Sequence, residues 1–298
     1  MPNSFTSHSE YLPLEQVLIM PVSEAFRDKT KIGAEWEELN YLKAPDLKPA
    51  LEEYRDFISL LQEKGAEVFS FTKRESLTLD ALYCRDASIV TDHGVVLCRM
   101  GKRQRRAEPA VQEKVYKDLG IPILGKIQAP GTLEGGDVAW LDRDTLAVGY
   151  SYRTNSEGIE QLIGMLRPLG VKVIEVQLPH FRGPSDVFHL MSILSPLDRD
   201  LAAVYSPLMP IAFRNTLLER GYQLVEVPEA EFDSLGCNIL ATGPRQCVMA
   251  EGNPITEAAL RKAGCTVSTY PGLEISVKGG GGPTCLTRPL RRRIQTTS

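Results

Sequence analysis

The chain lacks the close cysteine pairs on which zinc centres and disulfide frameworks are built. None of its six cysteines stands in a C-x-x-C pair, and their positions are scattered. Without such spacing, neither a zinc site nor a disulfide framework is expected. We therefore expect free thiols, most of them buried and inert. The cysteines are Cys84, Cys98, Cys237, Cys247, Cys265 and Cys285.

An excess of positive charge is missing as well. The formal net charge is -4, so no general positive field is available to hold nucleic acid or an anionic membrane surface. Two runs, residues 103–106 and 288–293, are nevertheless rich in arginine. We expect the second run to be a solvated face or a frayed tail, which is the usual role of such a run.

Long hydrophobic runs and a secretion signal are also absent. The first residues are polar and lack the charged start and apolar core of a signal peptide, and no apolar run approaches the length of a membrane span. We expect a cytoplasmic protein with neither a membrane nor a nucleic-acid partner. Assembly into a homo-oligomer stays open.

What the sequence does have is a repeat. Five times, an apolar helical stretch ends in glycine and continues at once into a short strand rich in β-branched residues. Glycine commonly ends a helix in the left-handed conformation, so each unit is predicted to be mixed α/β. The glycines are Gly65, Gly120, Gly170, Gly221 and Gly264.

Further strand candidates upstream of these helices complete strand-strand-helix-strand units. Five such units most simply close into a fivefold pseudosymmetric α/β propeller around a central active site, whereas the alternative is an open α/β sheet with coincidental glycines. No linker divides the chain, so residues 1–298 are predicted to form a single catalytic domain. The expected repeats span approximately residues 15–70, 80–125, 130–178, 185–228 and 236–290.

A glycine-rich segment near the C-terminus contains a candidate nucleophile. Residues 279–282 are glycines, and Pro283, Thr284 and Cys285 follow. A phosphate-binding loop would need Gly-Lys-Ser/Thr after the glycines, which is missing. A catalytic thiol is the functional interpretation of Cys285, and a flexible tether with an incidental cysteine is the alternative.

A catalytic thiol needs a proton-transfer partner, which is usually histidine. Of the four histidines, His189 lies at the start of an apolar stretch, where a core role is the alternative. Carboxylates beside two glycines occur in Glu134-Gly135-Gly136-Asp137, and Asp86 precedes another apolar stretch. Such carboxylates suit a planar cation, although the glycine pair is equally typical of a turn.

Four motifs together carry a family resemblance, and their order along the chain is specific. The chain resembles the guanidino-group-modifying enzymes of the pentein fold, from about Val17 to Arg288. It is most similar to dimethylarginine dimethylaminohydrolases and more distantly to arginine deiminases and amidinotransferases. This family has a fivefold α/β propeller. The motifs are Glu134-Gly135-Gly136-Asp137, Arg153-Thr154-Asn155, Phe188-His189-Leu190 and Thr284-Cys285.

The resemblance implies a role for each candidate residue and requires no metal or organic cofactor. Cys285 is implied as the nucleophile, His189 as the proton-transfer partner and Glu134 as the third catalytic residue. Asp86 and Glu134 would hold the guanidinium group. Arg105 and Arg153 would bind the α-carboxylate of an amino-acid substrate. The other implied substrate-binding residues are Asp137, Asn155 and Asn238.

One departure bears on the substrate. Deiminases and amidinotransferases have an aspartate two residues after the catalytic histidine, whereas this chain has Met191. Losing that acceptor disfavours unmodified arginine by roughly 1 to 3 kcal/mol, because buried N–H donors would lose a partner. We therefore expect hydrolysis of methylated arginine to citrulline and an alkylamine. The alternatives are arginine deimination or dihydrolysis and, less favoured, a thiol peptidase or a non-catalytic binding protein.

Overall fold

The computed structural model describes residues 5–71 and 77–294. In this part of the chain, no helix combines the length and the hydropathy needed to cross a membrane. The strands are β1 Phe5–Thr6, β2 Leu14–Ile19, β3 Glu67–Ser70, β4 Ser88–Thr91, β5 Gly94–Leu97, β6 Ile123–Lys126, β7 Val138–Asp142, β8 Thr145–Tyr150, β9 Lys172–Gln177, β10 Leu194–Asp198, β11 Leu201–Val204, β12 Gln223–Glu226, β13 Leu240–Gly243, β14 Gln246–Ala250, β15 Thr266–Tyr270 and β16 Arg288–Arg293. The helices are α1 Val22–Ala25, α2 Lys29–Glu35, α3 Leu47–Glu63, α4 Glu108–Asp118, α5 Ser156–Leu166, α6 Ile211–Glu219 and α7 Pro254–Lys262.

The strands form five small sheets that repeat one topology. In four sheets, two antiparallel strands are followed by a helix and by a third strand parallel to the second; the units are β4-β5-α4-β6, β7-β8-α5-β9, β10-β11-α6-β12 and β13-β14-α7-β15. The first strand of each of these units is called its inner strand here. Neighbouring units meet at these strands, since β7 contacts β10, β10 contacts β13, β13 contacts β2, and β4 contacts β16. The predicted fivefold α/β arrangement is confirmed.

The remaining sheet joins the two ends of the chain. Here β2, α3 and β3 form the parallel part, and β16 inserts between β1 and β2, antiparallel to both. The strand β16 is the arginine-rich run 288–293, so its prediction as a solvated face or tail was wrong. Pairing on both edges places the run inside the sheet, where Arg288 is 6% and Arg292 only 1% exposed.

Each predicted helix-ending glycine has a positive φ angle. The values are +91° at Gly65, +70° at Gly120, +78° at Gly170, +83° at Gly221 and +86° at Gly264. A side chain at any of these positions would strain the backbone, because the left-handed region disfavours a Cβ atom. The turn after each helix therefore depends on glycine, and it directs the chain into the outer strand of the same sheet.

A buried charge cluster lies where β16 meets the N-terminal segment. Arg85, Arg288 and Arg292 surround the single carboxylate of Glu10, which accepts a 2.8 Å bond from Nη2 of Arg85. Burial raises the pKa of Glu10, but the positive charges of Arg85, Arg292 and Arg288 outweigh burial and lower the pKa below its usual range. Glu10 therefore stays ionised and compensates part of the buried positive charge.

We expect the Glu10→Gln substitution to lower the free energy of unfolding by about 3 kcal/mol or more, because it leaves buried arginines without their counter-ion. The matched control is Glu15→Gln, which removes an ion pair with the largely exposed Arg293 and should cost less than about 1 kcal/mol. Urea unfolding of both variants measures the difference. Equal losses would contradict the role assigned to Glu10.

Candidate active site

Five polar side chains occupy equivalent positions in the five units, just before the inner strand of each sheet. Asp86 precedes β4, Glu134 precedes β7, His189 precedes β10, Asn238 precedes β13 and Cys285 precedes β16. The inner strands of neighbouring units contact one another, so the segments that enter these strands converge. The repeat thereby brings together residues that lie far apart in the sequence.

These segments enclose two connected spaces. The outer cavity has a volume of about 200 Å³, and the inner chamber is a narrow space of about 10 Å³. The apolar wall of the outer cavity includes Val187, Phe188, Met191 and Phe232. The two spaces share Val187, His189, Gly279, Gly280 and Cys285. The inner chamber is also lined by Asp80, Asp86, Lys102, Arg105 and Arg153.

The Cys285 thiol lies at the junction of the two spaces and is only 9% exposed. Its Sγ accepts a 3.3 Å hydrogen bond from Nδ2 of Asn238. The amide of Asn238 is fixed because its Oδ1 accepts from the backbone N–H of Thr284 at 3.1 Å and from its Oγ1 at 2.8 Å. Burial and the negative charge of Asp86 raise the pKa of Cys285, so this environment favours the neutral thiol.

The glycines before Cys285 are required by close packing. A Cβ on Gly281 would overlap the ring of Tyr83, and a Cβ on Gly282 would lie 2.6 Å from Cγ of Asn238. The segment is therefore fixed against Tyr83 and Asn238. This packing argues against the alternative of a flexible tether with an incidental thiol.

Glu134 is fully buried and links three elements of the site. Its Oε2 accepts from Nε2 of His189 at 2.9 Å and from Nη1 of Arg153 at 3.3 Å. Its Oε1 accepts from the backbone N–H of Lys102 at 3.0 Å. The carboxylate thus fixes the orientation of the imidazole ring, as the third member of a catalytic triad does.

Charges around the imidazole favour its protonated form. Burial lowers the pKa of His189, but the charges of Asp137 and Asp86 and the hydrogen bond to Glu134 raise the pKa to about 9. Burial raises the pKa of Glu134, whereas the charge of Arg153 and the bond from His189 lower it well below its usual range. His189 and Glu134 therefore form an imidazolium–carboxylate pair at neutral pH.

Asp86 brings an unsatisfied acceptor into the inner chamber. Its Oδ2 is bound by Nη1 of Arg105 at 2.5 Å, whereas its buried Oδ1 has no hydrogen-bond partner among the described residues. Single side-chain atoms of Asp86, Glu134 and His189 lie within 4.8 Å of one another, which is a spacing that metal ligands can have. Since His189 and Arg153 already donate to Glu134, the open acceptor of the trio is Asp86 Oδ1.

Two expected substrate contacts fall elsewhere in the structure. Asp137 does not line the cavity; its Oδ1 accepts from the N–H of Leu190 at 3.0 Å and its Oδ2 from Oγ of Ser151 at 2.6 Å. Asn155 is the N-cap of α5, and its Oδ1 accepts from the N–H of Gly158 at 2.9 Å. Neither residue lines the two spaces, and donors of the fold already occupy their oxygens, so the structure gives their prediction as substrate contacts no support.

The two candidate arginines line the inner chamber but are not equivalent. Arg105 donates to both oxygens of Glu108 at 2.8 Å, to Asp86, and to the carbonyl of Tyr83 at 2.8 Å. Four of its five N–H groups are therefore engaged, and it cannot offer a two-donor fork to a carboxylate. Arg153 makes only long bonds, of 3.3 Å to Glu134 and 3.4 Å to the Asp186 carbonyl, and retains free donors.

Two charged residues of the chamber escaped the sequence analysis. Nζ of Lys102 pairs with Oδ2 of Asp80 at 2.6 Å and donates to the carbonyl of Leu39 at 2.8 Å. Asp80 lies among leucines and alanine, where the sequence indicates only a helical turn. Lys102 directly precedes the arginine-rich run 103–106, where a solvated lysine is the usual expectation. Only the fold shows that its side chain is buried.

The chain is similar to known proteins over most of its length. Residues 34–292 match the family model described as N,N dimethylarginine dimethylhydrolase, eukaryotic. The chain is 30% identical to the N(G),N(G)-dimethylarginine dimethylaminohydrolase of Streptomyces coelicolor over 247 residues, which cover 81% of this chain and 86% of that protein.

Two solved structures share the fold. DDAH from Pseudomonas aeruginosa, complexed with citrulline, has a TM-score of 0.75 at 22% identity, over 94% of this chain and 99% of that chain. The N-terminal domain of ArgZ, a cyanobacterial arginine dihydrolase bound to product, has a TM-score of 0.78 at 19% identity, over 94% and 97% of the two chains. At these identities the likeness concerns the fold alone.

The Gly136→Ala substitution should disable the site. A Cβ there would lie 2.5 Å from Nδ1 of His189 and 2.7 Å from Oδ1 of Asp86, so both groups must move. A displacement of about 1 Å can reduce turnover on the order of a hundredfold. The control is Gly164→Ala in α5, where a Cβ meets nothing within 4 Å. Turnover and thermal unfolding of both variants test the effect, and full activity in Gly136→Ala would contradict it.

We expect the His189 imidazole to titrate with a pKa of about 9. Because this pKa is raised above the unfolded value of about 6.5, its stabilisation is complete below pH 6.5 and is lost as the pH rises through 9. NMR titration of the ring, assigned with His189→Gln, measures the pKa directly. The unfolding free energy of the wild type should fall over this interval relative to that variant. A midpoint near 6.5 would contradict the imidazolium–carboxylate pair.

Proposed function

The chain belongs to the N,N-dimethylarginine dimethylhydrolase family and is a hydrolase acting on the carbon–nitrogen bonds of linear amidines; on this premise we propose that it works through a covalent bond between Cys285 and a guanidinium carbon. One observation carries the proposal. A buried thiol, an imidazolium paired with a carboxylate and an unpaired carboxylate oxygen border the same small chamber.

The open oxygen of Asp86 is the binding point for the cationic head of the substrate. A guanidinium N–H donated to Oδ1 satisfies this buried acceptor and forms a charge-assisted hydrogen bond. The bound cation also offsets the negative charge that raises the pKa of Cys285 in the empty site. Substrate binding therefore promotes loss of the thiol proton to solvent, since His189 is already protonated, and prepares the sulfur for attack.

The reaction proceeds in two steps at one carbon. The Cys285 thiolate attacks the guanidinium carbon and forms a carbon–sulfur bond, while His189 gives its proton to the departing amine as the carbon–nitrogen bond breaks. A covalent thiouronium remains. The neutral His189 then takes a proton from the attacking water, and the carbon–sulfur bond breaks to release the ureido product and the thiolate. Glu134 keeps the imidazole oriented throughout.

The wall of the outer cavity supports an N-alkylated substrate. Met191 and Phe188 are buried and apolar, and both line the space next to Cys285. Methyl groups can contact this wall, whereas the free N–H groups of unmodified arginine would lose partners there. We therefore propose methylated arginine as the substrate, with citrulline and an alkylamine as products. Hydrolysis of free arginine is the second candidate, favoured by Asp186 on the same cavity wall.

We also propose that residues 1–298 form a single catalytic domain. The support is that β1, β2 and β16 belong to one sheet, so both ends of the chain complete the same unit. Dividing the chain into two independent domains would separate the strands of this sheet.

Three incubations, each with one compound, test the substrate assignment. Asymmetric dimethylarginine should give citrulline and dimethylamine, monomethylarginine should give citrulline and methylamine, and arginine should react much less, because Met191 offers no acceptor. Mass spectrometry of the products distinguishes these results. Ammonia released from arginine at a higher rate than either alkylamine would overturn the assignment to methylated arginine.

Two variants test the mechanism in the same assay. Cys285→Ser should abolish turnover while preserving the fold. His189→Gly should slow departure of the amine and stop hydrolysis, so that thiouronium which forms stays on the intact protein as a mass increase. Cys265→Ser removes another buried thiol that does not line either space and serves as the control. Near-normal turnover by Cys285→Ser would sink the mechanism.

A further inference from the structure

The inner chamber contains a cation that the hydrolytic mechanism does not use. Lys102 lines the chamber together with Asp86, Arg153 and Cys285, and its side chain is buried. Its ammonium group pairs with Oδ2 of Asp80 at 2.6 Å and donates to the carbonyl oxygen of Leu39 at 2.8 Å. A carboxylate and a backbone carbonyl are the usual partners of a bound ammonium ion, so Lys102 fills an ammonium site from within the chain.

The chamber has little negative charge left for a second cation. Asp80 is paired with Lys102, one oxygen of Asp86 is bound by Arg105, and Glu134 receives donors from His189 and Arg153. The unpartnered buried carboxylate oxygen among these residues is Oδ1 of Asp86. The guanidinium head of the substrate takes this acceptor.

A negatively charged group of the substrate, in contrast, finds free hydrogen-bond donors in the chamber. The ammonium of Lys102 has three N–H donors and uses two of them in the contacts with Asp80 and Leu39. Arg153 has long bonds and unused donors on the same chamber wall. A carboxylate at the far end of the substrate can therefore be bound by Lys102 and Arg153 once the chamber, with a volume of about 10 Å³, widens around the substrate.

We propose that Lys102 determines specificity at the far end of the substrate, so that the preferred class is N-alkylated ω-guanidino carboxylates without an α-ammonium group. The inference rests on the proposed Cys285 chemistry and concerns only the opposite end of the molecule. Methylated arginine reacts by the same steps, but its α-ammonium meets the charge of Lys102 in a water-poor space, where like charges repel strongly. Its deaminated counterpart avoids this repulsion and keeps its carboxylate contacts.

A matched pair of substrates tests the proposal on the wild-type protein. The pair is asymmetric dimethylarginine and 5-(N′,N′-dimethylguanidino)pentanoate, which differ only in the α-amino group. We expect kcat/KM to be at least about tenfold higher for the pentanoate, with the difference mainly in KM, because the repulsion acts on binding. Dimethylamine release measures both reactions, so one assay serves the pair.

Lys102→Met tests the assignment to this residue. The variant removes the charge, keeps an extended apolar stem and leaves Asp80 free to accept from an α-ammonium. The preference should fall to parity or reverse in favour of dimethylarginine, whereas Lys102→Arg should retain the preference for the pentanoate. Lys262→Met, at an exposed lysine at the end of α7, is the control and should behave as the wild type.

The outcomes separate this inference from the proposed function. Release of dimethylamine from neither compound, with no adduct on Cys285, overturns the proposed function. Turnover of both compounds with equal kcat/KM, or a preference for dimethylarginine in the wild type, overturns the role of Lys102 and leaves the Cys285 chemistry intact. Should Lys102→Met fail to fold, the wild-type ratio and Lys102→Arg still decide the question.

Discussion

The pairing of β16 between β1 and β2 is the contact on which the rest of the structure depends. It supplies the antiparallel inner strand that the first unit lacks, and it carries Cys285 to the position that Asp86, Glu134, His189 and Asn238 occupy in the other units. Without this strand the sheet would expose an edge, and the nucleophile would have no fixed place. Completion of the fold and completion of the site are therefore one event.

Charge pairing determines what the site can bind. Both carboxylates that line the inner chamber, Asp80 and Asp86, have a cationic partner from the chain, and Asp86 Oδ1 is the open acceptor among those described. A buried unpaired oxygen is unfavourable in the empty protein. A cation that donates a hydrogen bond to this oxygen removes the free-energy cost of leaving it unpaired. The positive charge of the same cation lowers the pKa of the nearby Cys285 thiol. Recognition and activation of the nucleophile thus share one interaction.

The same pairing rule explains why three residues expected to bind substrate are engaged by the fold itself. Arg105 matched the family position, but Glu108 and Asp86 engage most of its donors. The oxygen of Asn155 caps a helix, and Asp137 is bound by the turn that carries His189. Each residue is of a type suited to substrate binding. In each, however, the hydrogen-bonding groups are already used by another residue, either distant in the sequence or in the next turn. Composition and spacing cannot reveal such occupancy.

The sequence by itself determined the repeat, because glycine after an apolar helical stretch and a following β-branched strand are local signals. It also indicated Cys285, His189 and Glu134 as candidates, since their motifs are contiguous. Only the tertiary structure decided that the run 288–293 is an interior strand, that Asp80 and Lys102 belong to the inner chamber, and that Asp86 keeps a free oxygen. Those features depend on contacts between units. Such contacts arise only when the ring closes, and no single segment of the sequence contains them.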